Sequence, residues 1–131
     1  MPAPADRVRG GIEESTRFTP RFDEHGLIPC VTVDAESGAV LMVAWMNADA
    51  LQQTLETGFV HYWSRSRQQL WRKGESSGAV QRVVEIMTDC DQDVLLVRAA
   101  VKDRAGTCHT GRPTCFYRAI PLGPGPIERD F

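Results

Sequence analysis

Long hydrophobic runs are missing from this chain. No apolar stretch approaches the ~18 residues that a bilayer-spanning helix requires. Nor do the first ten residues, with Pro2, Pro4, Asp6 and Arg7 among them, contain the apolar centre of a secretory leader. The expected location is the cytoplasm, with no membrane partner. A strong charge of either sign is missing too: the formal net charge is -2. That balance leaves no electrostatic footprint for nucleic acid, so an anionic ligand would need a local basic patch. Cysteines are few: Cys30, Cys90, Cys108 and Cys115. With no leader and enough chain to build a core, reduced thiols are favoured over two disulfides. No Cys-x-x-Cys spacing occurs, which excludes the tight knuckle of a zinc ribbon.

What is present suits one domain. The chain has 131 residues, 42% of them apolar. Residues 1–17 read as a flexible lead-in, 18–120 as the domain, and 121–131, with Pro121, Pro124 and Pro126, as a C-terminal tail. Residues 27–33 and 39–44 are apolar and flank turn residues at 34–38, which predicts a hairpin. A helix follows, with Asn47 as N-cap and Gly58 as the C-terminal glycine. Met46 and Leu51 are placed for a hydrophobic staple. Leu51 and Leu55, with Ala48 beside them, are expected to form its buried face. Further strands are expected at 59–63, 80–88 and 94–101, with a short one within 115–120. The fold class is a β-rich α+β domain, a curved sheet or pseudo-barrel capped by one helix.

Three segments carry chemistry. The first is Asp89-Cys90-Asp91-Gln92-Asp93. In an extended chain the three carboxylates share one face and repel unless a cation sits among them. Oxygen-only ligands suit Mg²⁺ or Ca²⁺. A solvated turn is the competing reading. The second is Cys108-His109-Thr110-Gly111 with Cys115. Cys90, Cys108 and Cys115 would bind Zn²⁺ and leave one position for water. His109 is either the proton-transfer group or a fourth, structural ligand. Cys30, between Pro29 and Val31, reads as a buried apolar residue and is left out of the site. If 89–93 is a regular strand, Cys90 faces away from the carboxylates. It would then reach a zinc held by a partner subunit; a loop there would remove that argument. The third segment, residues 63–78, sets Arg65, Arg67, Arg72 and Lys73 among serines, glycines and Trp63 and Trp71. Such a mixture suits phosphate and a stacked base. A solvated basic loop is its bland counterpart.

Together these segments resemble the phosphoribosyl-AMP cyclohydrolase family. The resemblance lies in Trp63-Ser64-Arg65-Ser66-Arg67, in 70–78, in the Asp89 to Asp93 run, in 108–111 and in Cys115-Phe116. Residues 41–47 and the helix after them also match, so it covers about 18–120. Thr107 and Thr114 stand where Ala and Ser are expected. The resemblance implies a homodimer with a barrel-like fold. It implies zinc on Cys90, Cys108 and Cys115, with Cys90 contributed across the dimer. It also implies Mg²⁺ on Asp89, Asp91 and Asp93. The implied reaction is hydrolysis of the N1–C6 bond of the adenine ring by zinc-activated water, a step of histidine biosynthesis. His109 is the expected proton-transfer residue, and Arg65, Arg67, Lys73 and Ser76 are the expected substrate contacts.

Two rivals belong to other classes. A non-catalytic zinc module would use Cys90, Cys108, Cys115 and His109 as four structural ligands and bind RNA or protein through the arginines. The Asp triplet and the near-neutral charge count against it. A nucleobase deaminase would show His-x-Glu with Pro-Cys-x-x-Cys, and neither occurs.

Overall fold

A computed structural model describes residues 11–102 and 106–129. The first ten residues of the expected lead-in lie outside that range. β1 (Ile28–Asp34) and β2 (Val40–Met46) form the expected hairpin. Its turn is built by Asp34, whose Oδ2 accepts from the Ser37 amide at 3.1 Å and the Ser37 hydroxyl at 2.7 Å. Inward positions Ile28, Cys30 and Thr32 are fully buried, as strand alternation requires.

α1 (Ala48–Thr57) starts where Asn47 Oδ1 accepts from the Ala50 amide at 2.8 Å and stops at Gly58, with φ 79°. Its buried face is Ala50, Leu51 and Thr54. Leu55 is 57% exposed and Ala48 is exposed, a correction to the expected face. The reason is the docking angle. Thr54 turns inward because its hydroxyl accepts from the His61 amide at 2.9 Å, which rotates Leu55 toward solvent.

β3 (His61–Ser64) and β4 (Gln69–Arg72) form a second hairpin. β5 (Gln81–Thr88) and β6 (Leu95–Val101) complete the main sheet, whose order is β2-β1-β6-β5. β6 runs parallel to β1 and the other neighbours are antiparallel, so the sheet is mixed. It is open at β2 and β5, and no closed barrel forms among the described residues. The short β7 (Arg118–Ala119) pairs with β8 (Glu128–Arg129).

Sheet, helix and second hairpin enclose a core that includes Ile28, Leu41, Met46, Leu51, Val60, Leu95 and Val97. A polar chain crosses it. Thr32 Oγ1 and the Tyr62 hydroxyl lie 2.7 Å apart, and Tyr62 donates to Gln81 Oε1 at 2.7 Å. All three residues are buried, so each hydroxyl and amide in the chain depends on the next. Cys30 lies in this core, and burial pushes its thiol up to about 12. A thiol so placed is a packing residue.

Candidate active site

Two segments distant in sequence build one cavity. Residues 65–68 turn the β3–β4 hairpin, with Gln68 in the left-handed region at φ 53°. After β4, residues 73–77 form a further turn. It closes around Gly74, at φ 83°, where a Cβ would lie 2.3 Å from Ala79 backbone carbon. Only glycine allows that approach. Opposite lies the 106–115 segment. Here the Gly111 amide donates to the Cys108 carbonyl at 2.8 Å, folding Cys108, His109 and Thr110 into a tight turn. The two parts are tied by Lys73, whose Nζ donates to the Thr107 carbonyl at 2.6 Å.

The cavity between them measures about 570 Å³ and is lined by Arg67, Lys73, Ser76, Cys108 and His109, among others. Three of the four expected substrate contacts therefore share a cavity with a thiol and an imidazole. Arg65 does not line it. Its guanidinium lies over the Trp45 ring, 4.7 Å from the centroid, in a neighbouring cavity.

Cys115 is held beside Cys108 by the edge of the main sheet. Its amide donates to the Leu41 carbonyl at 2.8 Å, and the Thr114 hydroxyl donates to the Val40 carbonyl at 2.8 Å. The unpaired edge of β2 is thus the anchor for the second thiol. The two thiols perturb each other. Burial works to raise the Cys108 pKa, but the Thr110 hydroxyl donating to its sulfur at 3.1 Å, the Cys115 thiol and the Lys73 ammonium together hold it below the ordinary value. Cys115 is pushed up to about 11 by burial and by the neighbouring Cys108. Lys73 is lowered by burial, against the opposing pull of the two thiols. Two sulfurs side by side, one held below its ordinary pKa, make a donor pair suited to Zn²⁺.

Asp89, Asp91 and Asp93 lie in the loop between β5 and β6, not in a strand. Their carboxylate oxygens nevertheless converge within 4.8 Å. Local bonds cause this: Asp89 Oδ1 accepts from the amides of Asp93 at 3.0 Å and Val94 at 3.2 Å. Gln92 takes φ 58°, and its side chain is buried. Its Oε1 accepts from the Thr19 amide at 2.7 Å, and its Nε2 donates to the Arg17 carbonyl at 3.0 Å. Residues 17 and 19 thus brace the acidic loop. Asp93 is raised, first by its hydrogen bond with Asp91, while hydrogen bonds from the Asp93 side and from backbone amides lower Asp89 despite partial desolvation. Carboxylates crowded in this way repel one another unless a cation sits among them. The donor set therefore fits a hard divalent ion.

Among the described residues, the aspartates are the one group of three or more side chains placed to share a metal ion. Cys90 is exposed on the acidic loop and does not join Cys108 and Cys115 within one chain. His109 does not complete such a group either. Among the described residues, no closed four-ligand site forms within one chain. The pairing of β4 with β3, and the use of Trp45 as a platform for Arg65, were not foreseen from the sequence. Gln69 to Arg72 is mostly exposed and only four residues long, too short for its alternation to mark it as a strand.

The chain is similar to known proteins throughout this region. The family model described as phosphoribosyl-AMP cyclohydrolase matches residues 42–117. A phosphoribosyl-AMP cyclohydrolase of Nitrobacter hamburgensis is 57% identical over 125 residues, covering 95% of this chain and 84% of the relative. One from a Chelativorans species is 54% identical, covering 94% and 88%. Another from Sinorhizobium medicae is 57% identical, covering 89% and 78%.

Proposed function

The chain belongs to the phosphoribosyl-AMP cyclohydrolase family, an enzyme family, and we propose that it opens the adenine ring of 1-(5-phosphoribosyl)-AMP. Water adds to C6, the N1–C6 bond breaks, and the product is the formimino-aminoimidazole carboxamide ribotide of histidine biosynthesis. The observation that carries this reading is the single cavity joining Cys108 and His109 to Arg67, Lys73 and Ser76. It sets cationic and hydroxyl hydrogen-bond donors, suited to an anion, beside a thiol and an imidazole.

Cys108 and Cys115 would hold Zn²⁺ from one subunit, and Cys90 of a second subunit would supply the third thiolate. That division would make the enzyme a homodimer; among the described residues Cys90 forms no ligand group with the other two thiols. When bound, zinc supplies the Lewis acidity that makes water a nucleophile near neutral pH. His109 lines the cavity, takes the proton released by the attacking water and delivers it to N1 as the ring opens. Arg67, Lys73 and Ser76 bind phosphate and ribose oxygens and orient the ring. Asp89, Asp91 and Asp93 would hold Mg²⁺. No helix among the described residues is long and apolar enough to cross a membrane, and the proposed location is the cytoplasm.

The test is incubation of the purified protein with phosphoribosyl-AMP, following loss of the purine absorbance with and without a zinc chelator. Chelator-sensitive ring opening is the expected result. A folded, zinc-loaded, Mg²⁺-supplied protein that leaves the purine intact would overturn the reading in favour of a zinc module.

A further inference from the structure

All three tryptophans of the chain, Trp45, Trp63 and Trp71, line one cavity of about 630 Å³. It adjoins the thiol cavity, and Arg67 and Trp71 line both. Each is within the range of ~300–1,000 Å³ that small-molecule sites occupy. Its polar groups come from the end of β3 and the turn after it: Ser64, Arg65 and Ser66, with Arg67 at the junction. The turn is held in shape locally. The Gln68 amide side chain donates to the Arg65 carbonyl at 2.8 Å, and the Arg67 amide donates to Ser64 Oγ at 3.2 Å.

Arg65 is pre-set by its stack on Trp45. A guanidinium lying on an aromatic face keeps its edge N–H donors free while its plane is fixed. Among the described residues, no carboxylate forms an ion pair with Arg65 or Arg67. Two forked cations without a counter-charge, two residues apart on one rigid turn, are built to receive an anion. Flat indole faces beside them suit the less polar face of a sugar ring.

We infer that the tryptophan cavity is a second substrate subsite, which takes a 5-phosphoribosyl arm while the reacting purine occupies the thiol cavity. Arg65 binds the phosphate of that arm, and Arg67 bridges the two cavities. The inference rests on the proposed substrate, which carries a phosphoribosyl group on each side of its base. It explains why the turn sends Arg65 and Arg67 to different places. One arm is met by Arg65 over Trp45, and the other by Lys73 and Ser76 within the thiol cavity.

The test compares Arg65→Met and Ser66→Glu with Arg82→Met. Arg82 lines a separate cavity of about 620 Å³ with Lys102, which is the alternative anion site. Steady-state kinetics on phosphoribosyl-AMP should show KM raised about tenfold or more for Arg65→Met, the effect of losing a charge-assisted hydrogen bond. Its kcat should stay within about twofold, because the arm is held alike in ground and transition states. Ser66→Glu, at the exposed turn, should raise KM in the same way. Independently of turnover, ribose 5-phosphate titrated into the zinc-loaded protein should change the tryptophan fluorescence saturably, and Arg65→Met should weaken that response about tenfold. An unchanged KM in Arg65→Met, or a raised KM in Arg82→Met instead, would overturn the subsite. Absence of turnover by the parent protein would strike the proposed reaction. The fluorescence titration would still decide whether the tryptophan cavity binds a phosphoribosyl group.

Discussion

The ammonium of Lys73 donates to the backbone carbonyl of Thr107 at 2.6 Å, across 34 residues of chain. This bond locks the turn after β4 to the segment bearing Cys108. It places a positive charge beside both thiols. Lys73→Met should therefore leave a foldable protein with an open cavity. The expected loss in kcat/KM is about 10–100-fold, the range of a charged hydrogen bond. Zinc content and kcat/KM measured together check this. A variant within twofold of the parent on both counts would mean that Lys73 neither joins the walls nor serves the site.

His109 is exposed, lines the same cavity, and completes no metal-ligand group among the described residues. His109→Ala should keep its zinc and lose about 10²–10⁴-fold in kcat, the usual range for general acid–base catalysis. Metal analysis beside single-turnover rates separates the two roles. Loss of zinc along with rate would make His109 a ligand and revive the structural-site reading.

The hydroxyl of Thr107 is buried without a hydrogen-bond partner among the described residues. Thr107→Val keeps the shape and removes the orphaned group. Stability should rise by about 1 kcal/mol. Urea unfolding reads this as a higher midpoint with an unchanged slope. A lower midpoint would show that the hydroxyl is satisfied in solution.

Asp89, Asp91 and Asp93 crowd their oxygens within 4.8 Å, with the Asp93 carboxyl raised by its neighbours. Millimolar Mg²⁺ should raise the Tm of the parent protein, since a ligand of the folded state stabilises it. Asp93→Asn should raise the Tm of the Mg²⁺-free protein by relieving repulsion, and should lose the response to Mg²⁺. Scanning calorimetry with and without Mg²⁺ checks both. A parent Tm indifferent to Mg²⁺ would reduce the triplet to a solvated turn.

Much of this molecule is decided within a few residues of chain, and such parts are legible in the sequence. Asn47 caps α1 by a bond to Ala50, and Gly58 ends it in the left-handed region. Asp34 builds the first hairpin turn through Ser37, and the alternation of Ile28, Cys30 and Thr32 shows which side is buried. The thiols and carboxylates proposed as metal ligands, and the order of motifs that marks the family, are also properties of the string alone. Hydrogen bonds that close over three or four residues and side chains that alternate by twos need no knowledge of the rest of the fold.

Tertiary structure decided the rest, because those features depend on partners far along the chain. β4 is a strand because Gln69 to Arg72 finds β3 opposite it, not because its residues favour one. Leu55 is exposed because Thr54 bonds to His61, which fixes how the helix is rotated on the core. The acidic loop is a loop rather than a strand because Gln92 is bound by residues 17 and 19. Cys115 meets Cys108 because the edge of β2 holds its amide. Arg65 and Arg67 are two residues apart in sequence, yet Arg67 lines the thiol cavity and Arg65 does not. A sequence states which charges and donors exist; only long-range pairing, with its cost in chain entropy already met by the core, states which of them face the same space.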